Sequence, residues 1–422
     1  MSSEAATTEV VLAREGEYRV EVPPQTEVGI KLKSGSAELF GVELAIDREY
    51  VFRDRKLAIF TWYGCTLEVR GALEEAYTSE ETTMDSYLNI HAQLQRRREL
   101  AKAKHAAGPR VLVCGPVDSG KSTLTQILAN YALRLGEKPT LVELDVGCGC
   151  LSVPGTLSAS PLDMNSLSIE EDFILTNPLA YFYGHAASSE NTVKRRLAND
   201  EEVNASGCVI NTCGWVDGTG FDLLVHAIKD FDVDVVLVIG QDRLYSRLQS
   251  ALTGANANGV DRSIVKLSRS GGVVPLNSKL RSAARISCIL AIPTLSPCIN
   301  EFSFDDVSFF AIKGAWGMYM KVSDVMLPVG QVETQTDRLR VVPVEKTADL
   351  GHSLAAVAHP RHGQDASSSS STDLSWLLGA PAAGFVFIKE VRVAEQKLVL
   401  LVPSPGPLPS RNLLVGSIKW ME

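Results

Sequence analysis

No apolar run in the 422 residues approaches the roughly 18–20 needed to cross a bilayer as a helix; the longest, such as 233–240, are of strand length, so no membrane partner is expected. The opening residues 1–10 lack the basic and apolar pattern of a signal peptide and carry Glu4 and Glu9, which predicts a reducing, intracellular setting. Cysteine is sparse: eight residues, mostly inside apolar runs, do not make a disulfide framework. Cys148 with Cys150, or Cys208 with Cys213, could be read as metal ligands, but neither pair has the C-x-x-C spacing of a structural zinc site. Positive charge is also short, with 41 Lys+Arg against 50 Asp+Glu and a net charge of −9. That excludes a basic nucleic-acid coat and leaves any contact with nucleic acid to a local site. There is no obvious basic cluster for nuclear import, no internal repeat, and no N-K-x-D motif of the kind GTP-reading proteins carry.

What is present belongs to a globular chain, 45% hydrophobic and 22% charged, long enough for two to four domains. Short β-type runs at 18–22, 28–32, 37–44, 57–62 and 66–69, separated by turn signals such as Pro23-Pro24 and Ser34-Gly35, predict a small all-β domain. A polar stretch at 90–105 reads as a helix ending at Gly108-Pro109. The middle then alternates strands (110–114, 140–145, 207–211, 233–239 and 263–267) with helices (122–135, 221–229 and 242–252). That order predicts α/β architecture, a mainly parallel sheet covered by helices. Beyond about 302 the signals turn β-rich again, at 307–312, 339–344, 384–388 and 396–402, with a serine-rich loop expected within 359–372.

One motif carries chemistry by itself. Gly115-Pro116-Val117-Asp118-Ser119-Gly120-Lys121-Ser122 is a complete G-x-x-x-x-G-K-[ST] match, placed between an apolar strand and a helix as a P-loop requires. Gly115, Asp118, Ser119 and Gly120 bend the backbone so that its N–H groups can face a phosphate; Lys121 brings a positive charge, the Ser122 hydroxyl can ligate Mg²⁺, and Thr123 adds a donor. The next strand ends at Asp145, where a carboxylate can hold Mg²⁺ through water or accept a proton from an attacking hydroxyl; a plain turn cap is the other reading. Glu143 lies one pleat back and reads as structural. ATP or GTP with Mg²⁺ is the expected ligand, and the missing guanine-reading motif favours ATP.

Around that motif the chain resembles, over nearly its whole length, the polyribonucleotide 5′-hydroxyl kinases that also serve as the ATP-binding subunit of the pre-mRNA cleavage and polyadenylation factor. The matching segments are 37–41, 60–65, 115–123, 131–136, 142–147, 153–156, 206–215, 243–245 and 270–274. The resemblance implies an N-terminal β-sandwich (1–100), a central P-loop polynucleotide kinase domain (101–302) and a smaller β-rich C-terminal domain (303–422). It assigns the nucleotide base to Glu17 and Lys56, a terminal RNA base to stacking on Trp215, and the transferring phosphoryl group to Arg281 and Arg285, which join the Lys121, Ser122 and Asp145 read from the motif and the strand that follows it. A stacked base gains about 1–3 kcal/mol with little sequence preference, which suits an RNA end. The implied partners are an RNA 5′-hydroxyl end and other subunits of the pre-mRNA cleavage and polyadenylation machinery, and the implied location is the nucleus.

Three departures from the family pattern stand out. Cys148 replaces a glutamine after Asp145-Val146-Gly147, Leu276 replaces a lid arginine, and residues 287–300 replace an aromatic segment. They open an alternative, an ATP-locked assembly subunit with weak or no turnover. A metabolic small-molecule kinase is a third reading, less suited to Trp215 and the two lid arginines.

Overall fold

The structure, a computed structural model, describes residues 7–24, 26–147, 151–175, 178–182, 200–253, 262–275, 298–313, 340–360 and 374–419. Its residues fall into two compact units, the first taking in described residues of Met1–Glu143, Ser160–Asn177 and Lys194–Leu276, and the second those of Leu144–Ala159, Pro178–Val193 and Asn277–Glu422.

The first unit begins with nine strands: β1 (Thr7–Leu12), β2 (Glu17–Glu21), β3 (Val28–Gly35), β4 (Glu38–Leu39), β5 (Val42–Glu43), β6 (Glu49–Phe52), β7 (Lys56–Phe60), β8 (Cys65–Arg70) and β9 (Glu75–Ser79). They form two antiparallel sheets, β1-β8-β3-β6 and β5-β4-β7-β2-β9. In β8, Cys65, Leu67 and Val69 are buried while the residues between them are not, the two-residue period of a half-buried strand. Ile30, Leu32, Phe52, Ile59 and Leu67 meet in the core. Burying each such side chain is worth about 1.5–3 kcal/mol. The run expected as one strand at 37–44 is instead a hairpin of two short strands, because Phe40 and Gly41 take φ of 47° and 89° and reverse the chain.

Helix α1 (Met84–Ala103) starts six residues before the expected 90; Met84, Tyr87, His91, Leu94, Arg98 and Ala101 form its buried stripe at spacings of three and four. The parallel sheet of this unit follows the expected pattern. Strands β10 (Arg110–Cys114) and β11 (Thr140–Glu143) come first; β12 (Thr156–Pro161) and β13 (Leu179–Phe182), most of whose residues fall in the second unit, form an antiparallel pair. Strands β14 (Cys208–Asn211), β15 (Val235–Ile239) and β16 (Ser263–Leu267) complete the parallel order β11-β14-β10-β15-β16. Strands β10, β11, β14 and β15 are buried almost throughout, as expected for a sheet covered on both faces. Its helices are α2 (Lys121–Arg134), α3 (Glu201–Ser206), α4 (Thr219–Asp230) and α5 (Asp242–Thr253). The β4–β5 turn rests on α2: Asn130 Nδ2 donates to the Phe40 carbonyl at 2.9 Å and Arg134 to that of Gly41 at 3.1 Å.

In the second unit a sheet of order β17-β22-β21-β20-β23-β18-β19 is built from β17 (Cys298–Ser303), β18 (Ser308–Lys313), β19 (Arg340–Val344), β20 (Ser353–Ala358), β21 (Ala382–Arg392), β22 (Lys397–Val402) and β23 (Asn412–Lys419). β20, absent from the sequence reading, is buried at every residue. Ala355 and Val357 enter one core while Leu354, Ala356 and Ala358 enter the other, so an alanine-rich run without polar alternation still makes a central strand. β17 starts at Cys298 and pairs with β22, so this sheet takes in residues before the expected boundary at 303. Among the described residues no helix is long and apolar enough to cross a membrane.

Candidate nucleotide-binding site

The loop between β10 and α2 leaves the strand that lies between β14 and β15, where the strand order turns back on itself and ligands of open α/β sheets collect. Asp118 and Gly120 adopt φ of 54° and 88°, which curls the backbone ahead of the helix. Gly115 has no room for a side chain: a Cβ there would lie 2.8 Å from both the Ile239 carbonyl oxygen and Ser119 Oγ. Lys121 opens α2, is only 7% exposed, and donates from Nζ to the Pro116 carbonyl at 2.8 Å, so its ammonium sits inside the loop it closes. Thr123, half-buried, follows in the first turn. Ser119 is buried, and its Oγ has no hydrogen-bond partner among the described residues.

Ser122 Oγ accepts from Asn211 Nδ2 at 3.1 Å, and the same amide nitrogen donates to both oxygens of Glu143 at 3.0 and 2.9 Å. Asn211 and Glu143 are each 1% exposed. The end of β14 is tied to the P-loop strand as well, through Thr212 Oγ1 donating to the Val113 carbonyl at 2.8 Å. Asn211 Oδ1, like Ser119 Oγ, is buried and without a partner among the described residues. Two unsatisfied buried oxygens beside a serine hydroxyl and a carboxylate are the donor chemistry of a hydrated Mg²⁺ and its phosphate, and this set fits such a group. Among the described residues no group of three or more His, Cys, Asp or Glu side chains makes a metal cage of its own.

Asp145, two residues beyond β11, is half-buried, and its Oδ1 accepts the Gly147 backbone N–H at 2.9 Å, the turn-cap geometry that was the alternative reading of this residue. Cys114, at the end of β10, is no nucleophile: burial pushes its thiol up to about 12, although the Lys121 charge pulls the other way.

Trp215 is 42% exposed, and glycines set its position. A Cβ on Gly214 would fall 2.6 Å from the Val117 nitrogen and 2.5 Å from its Cγ2, so the Trp215 loop is pressed against the P-loop. A Cβ on Gly220, in the first turn of α4, would fall 2.5 Å from Trp215 Cγ, so the helix backbone supports the indole from below. Val117 is itself 54% exposed, and the two apolar side chains form a ledge beside the phosphate loop.

Glu17 and Lys56 lie on paired strands but at opposite ends: Glu17 pairs with Phe60, and Lys56 with Glu21. Glu17 is 5% exposed and accepts from Arg19 Nε at 2.8 Å and from the Thr82 hydroxyl. Lys56 Nζ donates to Glu21 at 2.7 Å. Arg19, which the sequence reading passed over, also reaches the glycine turn that follows β16, since a Cβ on Gly272 would lie 2.7 Å from its Nε. Asn211, Gly214 and Arg19 are the residues that motif spacing missed. The first two sit in the quoted segment 206–215, but a side-chain amide on a strand and a glycine in a loop carry no phosphate signature of their own. Arg281, Arg285, Leu276, Cys148 and the stretch 287–297 lie outside the described residues.

Comparison with known proteins agrees along the whole chain. Three family models match in order: the N-terminal beta-sandwich domain of polyadenylation factor over residues 11–101, the mRNA cleavage and polyadenylation factor CLP1 P-loop over 115–290, and the pre-mRNA cleavage complex II protein Clp1 over 295–422. A protein CLP1 homolog of Arabidopsis thaliana is 39% identical over 440 residues, covering 98% of this chain and 94% of its own. The Homo sapiens polyribonucleotide 5′-hydroxyl-kinase Clp1 is 36% identical over 435 residues, covering 99% and 97%. The fold matches the Clp1p chain solved in a wild-type Clp1p–Pcf11p (454–563) complex with a TM-score of 0.80 at 22% identity, both chains covered fully. With three consecutive domain matches and relatives this similar over nearly full length, the chain belongs to the Clp1 family of pre-mRNA cleavage and polyadenylation factors.

Proposed function

We infer that this protein is an ATP-binding factor of pre-mRNA 3′-end cleavage and polyadenylation and a polyribonucleotide 5′-hydroxyl kinase that moves the γ-phosphate of ATP to a 5′-hydroxyl RNA end. The observation that carries this reading is the pairing of a closed P-loop around Lys121 with the half-exposed Trp215 held against it through Gly214 and Val117. A phosphate cradle alone serves any nucleotide. An aromatic ledge beside it gives a terminal base a face to stack on without reading its sequence.

In the reaction the 5′ oxygen attacks the γ-phosphorus, ADP leaves, and the hydroxyl proton passes to a base. Backbone N–H groups of 115–123 and the Lys121 ammonium hold the negative charge as it shifts toward the leaving oxygen. Asp145 is the carboxylate we assign to the attacking hydroxyl, and Trp215 orients the RNA end so that the encounter is effectively intramolecular. Glu17 and Lys56 are assigned to the base, and Arg281 and Arg285 to the transferring group, on family likeness. When bound, Mg²⁺ would supply charge neutralisation on the phosphates, and Ser122 and Asp145 are the residues we assign to hold it. Other subunits of the cleavage and polyadenylation machinery are the proposed protein partners. The proposed location is the nucleus, reached with those partners.

Labelled γ-phosphate should appear on 5′-hydroxyl RNA with the native chain and fall at least about a hundredfold with Lys121→Ala. No transfer by the native chain at any Mg²⁺ concentration overturns the kinase reading. Cys148 and Leu276 favour a second reading, an assembly subunit locked by ATP. In that case the purified chain carries stoichiometric ATP, transfers nothing, and loses its partners when Lys121 is replaced.

A further inference from the structure

Strand β14 lies directly beside the P-loop strand, yet it ends in an amide, Asn211, rather than a carboxylate. A buried acid, Glu143, lies one strand further out, opposite Asn211 in the β11–β14 register. The two are joined by the Asn211 amide, which also reaches Ser122. We propose that Glu143 and Asn211 act as a positioning pair that aims the Ser122 hydroxyl, and so set how tightly the site takes the Mg²⁺ form of ATP. The proposal deepens the nucleotide-binding reading and rests on it.

Hydrogen-bonding capacity makes the case. A carboxylate only accepts, so Glu143 forces the Asn211 amide to turn its NH₂ group inward; the opposite rotamer would set Oδ1 against two carboxylate oxygens. With that orientation fixed, Nδ2 is left pointing at Ser122 as well. A serine hydroxyl has two lone pairs and one hydrogen. Asn211 occupies one lone pair, which leaves one lone pair and the O–H for the nucleotide side. The backbone at Ser122 is fixed separately, because its carbonyl accepts from Thr125 Oγ1 at 2.8 Å; only the side-chain rotor remained to be set. Both members of the pair are 1% exposed, so water does not compete for the bonds between them, while the Ser122 they hold is itself exposed. Partners that orient a metal ligand in this way are typically worth about 10–100-fold in metal affinity.

The test is calorimetric titration of ATP into the full-length chain, with Mg²⁺ in excess and again in EDTA. Asn211→Ala and Ser122→Ala should each reduce the gain in affinity that Mg²⁺ confers by about tenfold, with the affinity in EDTA changed less than about twofold, and the double variant should be no worse than Ser122→Ala alone. Glu143→Gln, whose amide oxygen can still accept from Asn211, should retain most of the gain. Because Asn211→Ala takes a hydrogen-bond donor from a buried carboxylate and can unfold the chain, Glu143→Met/Asn211→Leu removes both polar groups together and should show the same tenfold loss. An unchanged Mg²⁺ gain in that apolar pair, equal losses with and without Mg²⁺, or losses that multiply in the Asn211/Ser122 double variant each overturn the proposal. Failure of the native chain to bind ATP either with Mg²⁺ or in EDTA would instead count against the nucleotide-binding reading itself.

Discussion

Trp215 shows how one side chain acquires a role from its neighbours. An indole in a loop is usually packing, but here 42% of it faces solvent, it is supported from below by Gly220, and Gly214 leaves no gap between its loop and Val117. Trp215→Ala should therefore raise KM for RNA by about 5- to 150-fold, the loss of about 1–3 kcal/mol of stacking, while leaving ATP affinity unchanged; Trp215→Phe should recover most of it. An ATP affinity that falls in step with RNA would place Trp215 in the P-loop scaffold rather than on the substrate. The motif itself named Lys121, Ser122 and their flanking glycines without help from the fold, since those residue types at that spacing have one common use. Asn211 was not legible in this way. Its importance depends on which atoms lie within 3.1 Å of its amide, and they come from Ser122 and Glu143, 89 and 68 positions away in the chain.

Helix α1 carries a different kind of information. Its buried stripe includes His91, whose ring lies 5.2 Å from that of Tyr131 on α2 and whose Nδ1 has no partner among the described residues. Burial, with smaller contributions from the Arg98 and Arg134 charges, lowers its pKa from 6.5 to about 4. The folded chain thus takes up this proton only at lower pH than the unfolded chain does. The stability contributed by the neutral ring is complete above pH 6.5 and is lost as pH falls toward about 4. The melting temperature should drop across that window, and His91→Phe, which needs no proton and fills the same space beside Tyr131, should flatten part of the drop. Identical pH profiles for the two proteins would show that other groups govern acid unfolding. The start of α1 was misplaced because residues 84–89 mix one buried Met and one buried Tyr with polar neighbours, and only packing reveals the stripe. β20 was missed for the opposite reason: both its faces are covered, so alternation disappears.

For the molecule as a whole, the governing number is the net charge of −9. A chain that repels polyanions overall must hold RNA through a few local cations and stacking rather than through a broad field. Binding of 5′-hydroxyl RNA should consequently show a shallow salt dependence, with a log–log slope no steeper than about −2, the release expected from some three phosphates on a single strand. A slope near −5 or steeper would demand a basic surface that the proposed site does not supply. Within the first unit the β-sandwich and the parallel sheet are not independent. Phe60 of β7 belongs to the same core as Leu124 and Leu128 of α2, and Tyr131 and Arg134 both bond Glu38.

The amino-acid sequence by itself determined the class of the central sheet, the β-rich character of both flanks and the phosphate loop, because apolar periodicity and glycine spacing are local properties that survive in one dimension. Tertiary structure alone decided that Glu143 reaches Ser122 through Asn211, that Trp215 lies against the P-loop, and that Arg19 meets the Gly272 turn. Such contacts join residues tens to hundreds of positions apart at distances of a few ångströms, and hydrogen bonds and van der Waals contacts exist only at that range.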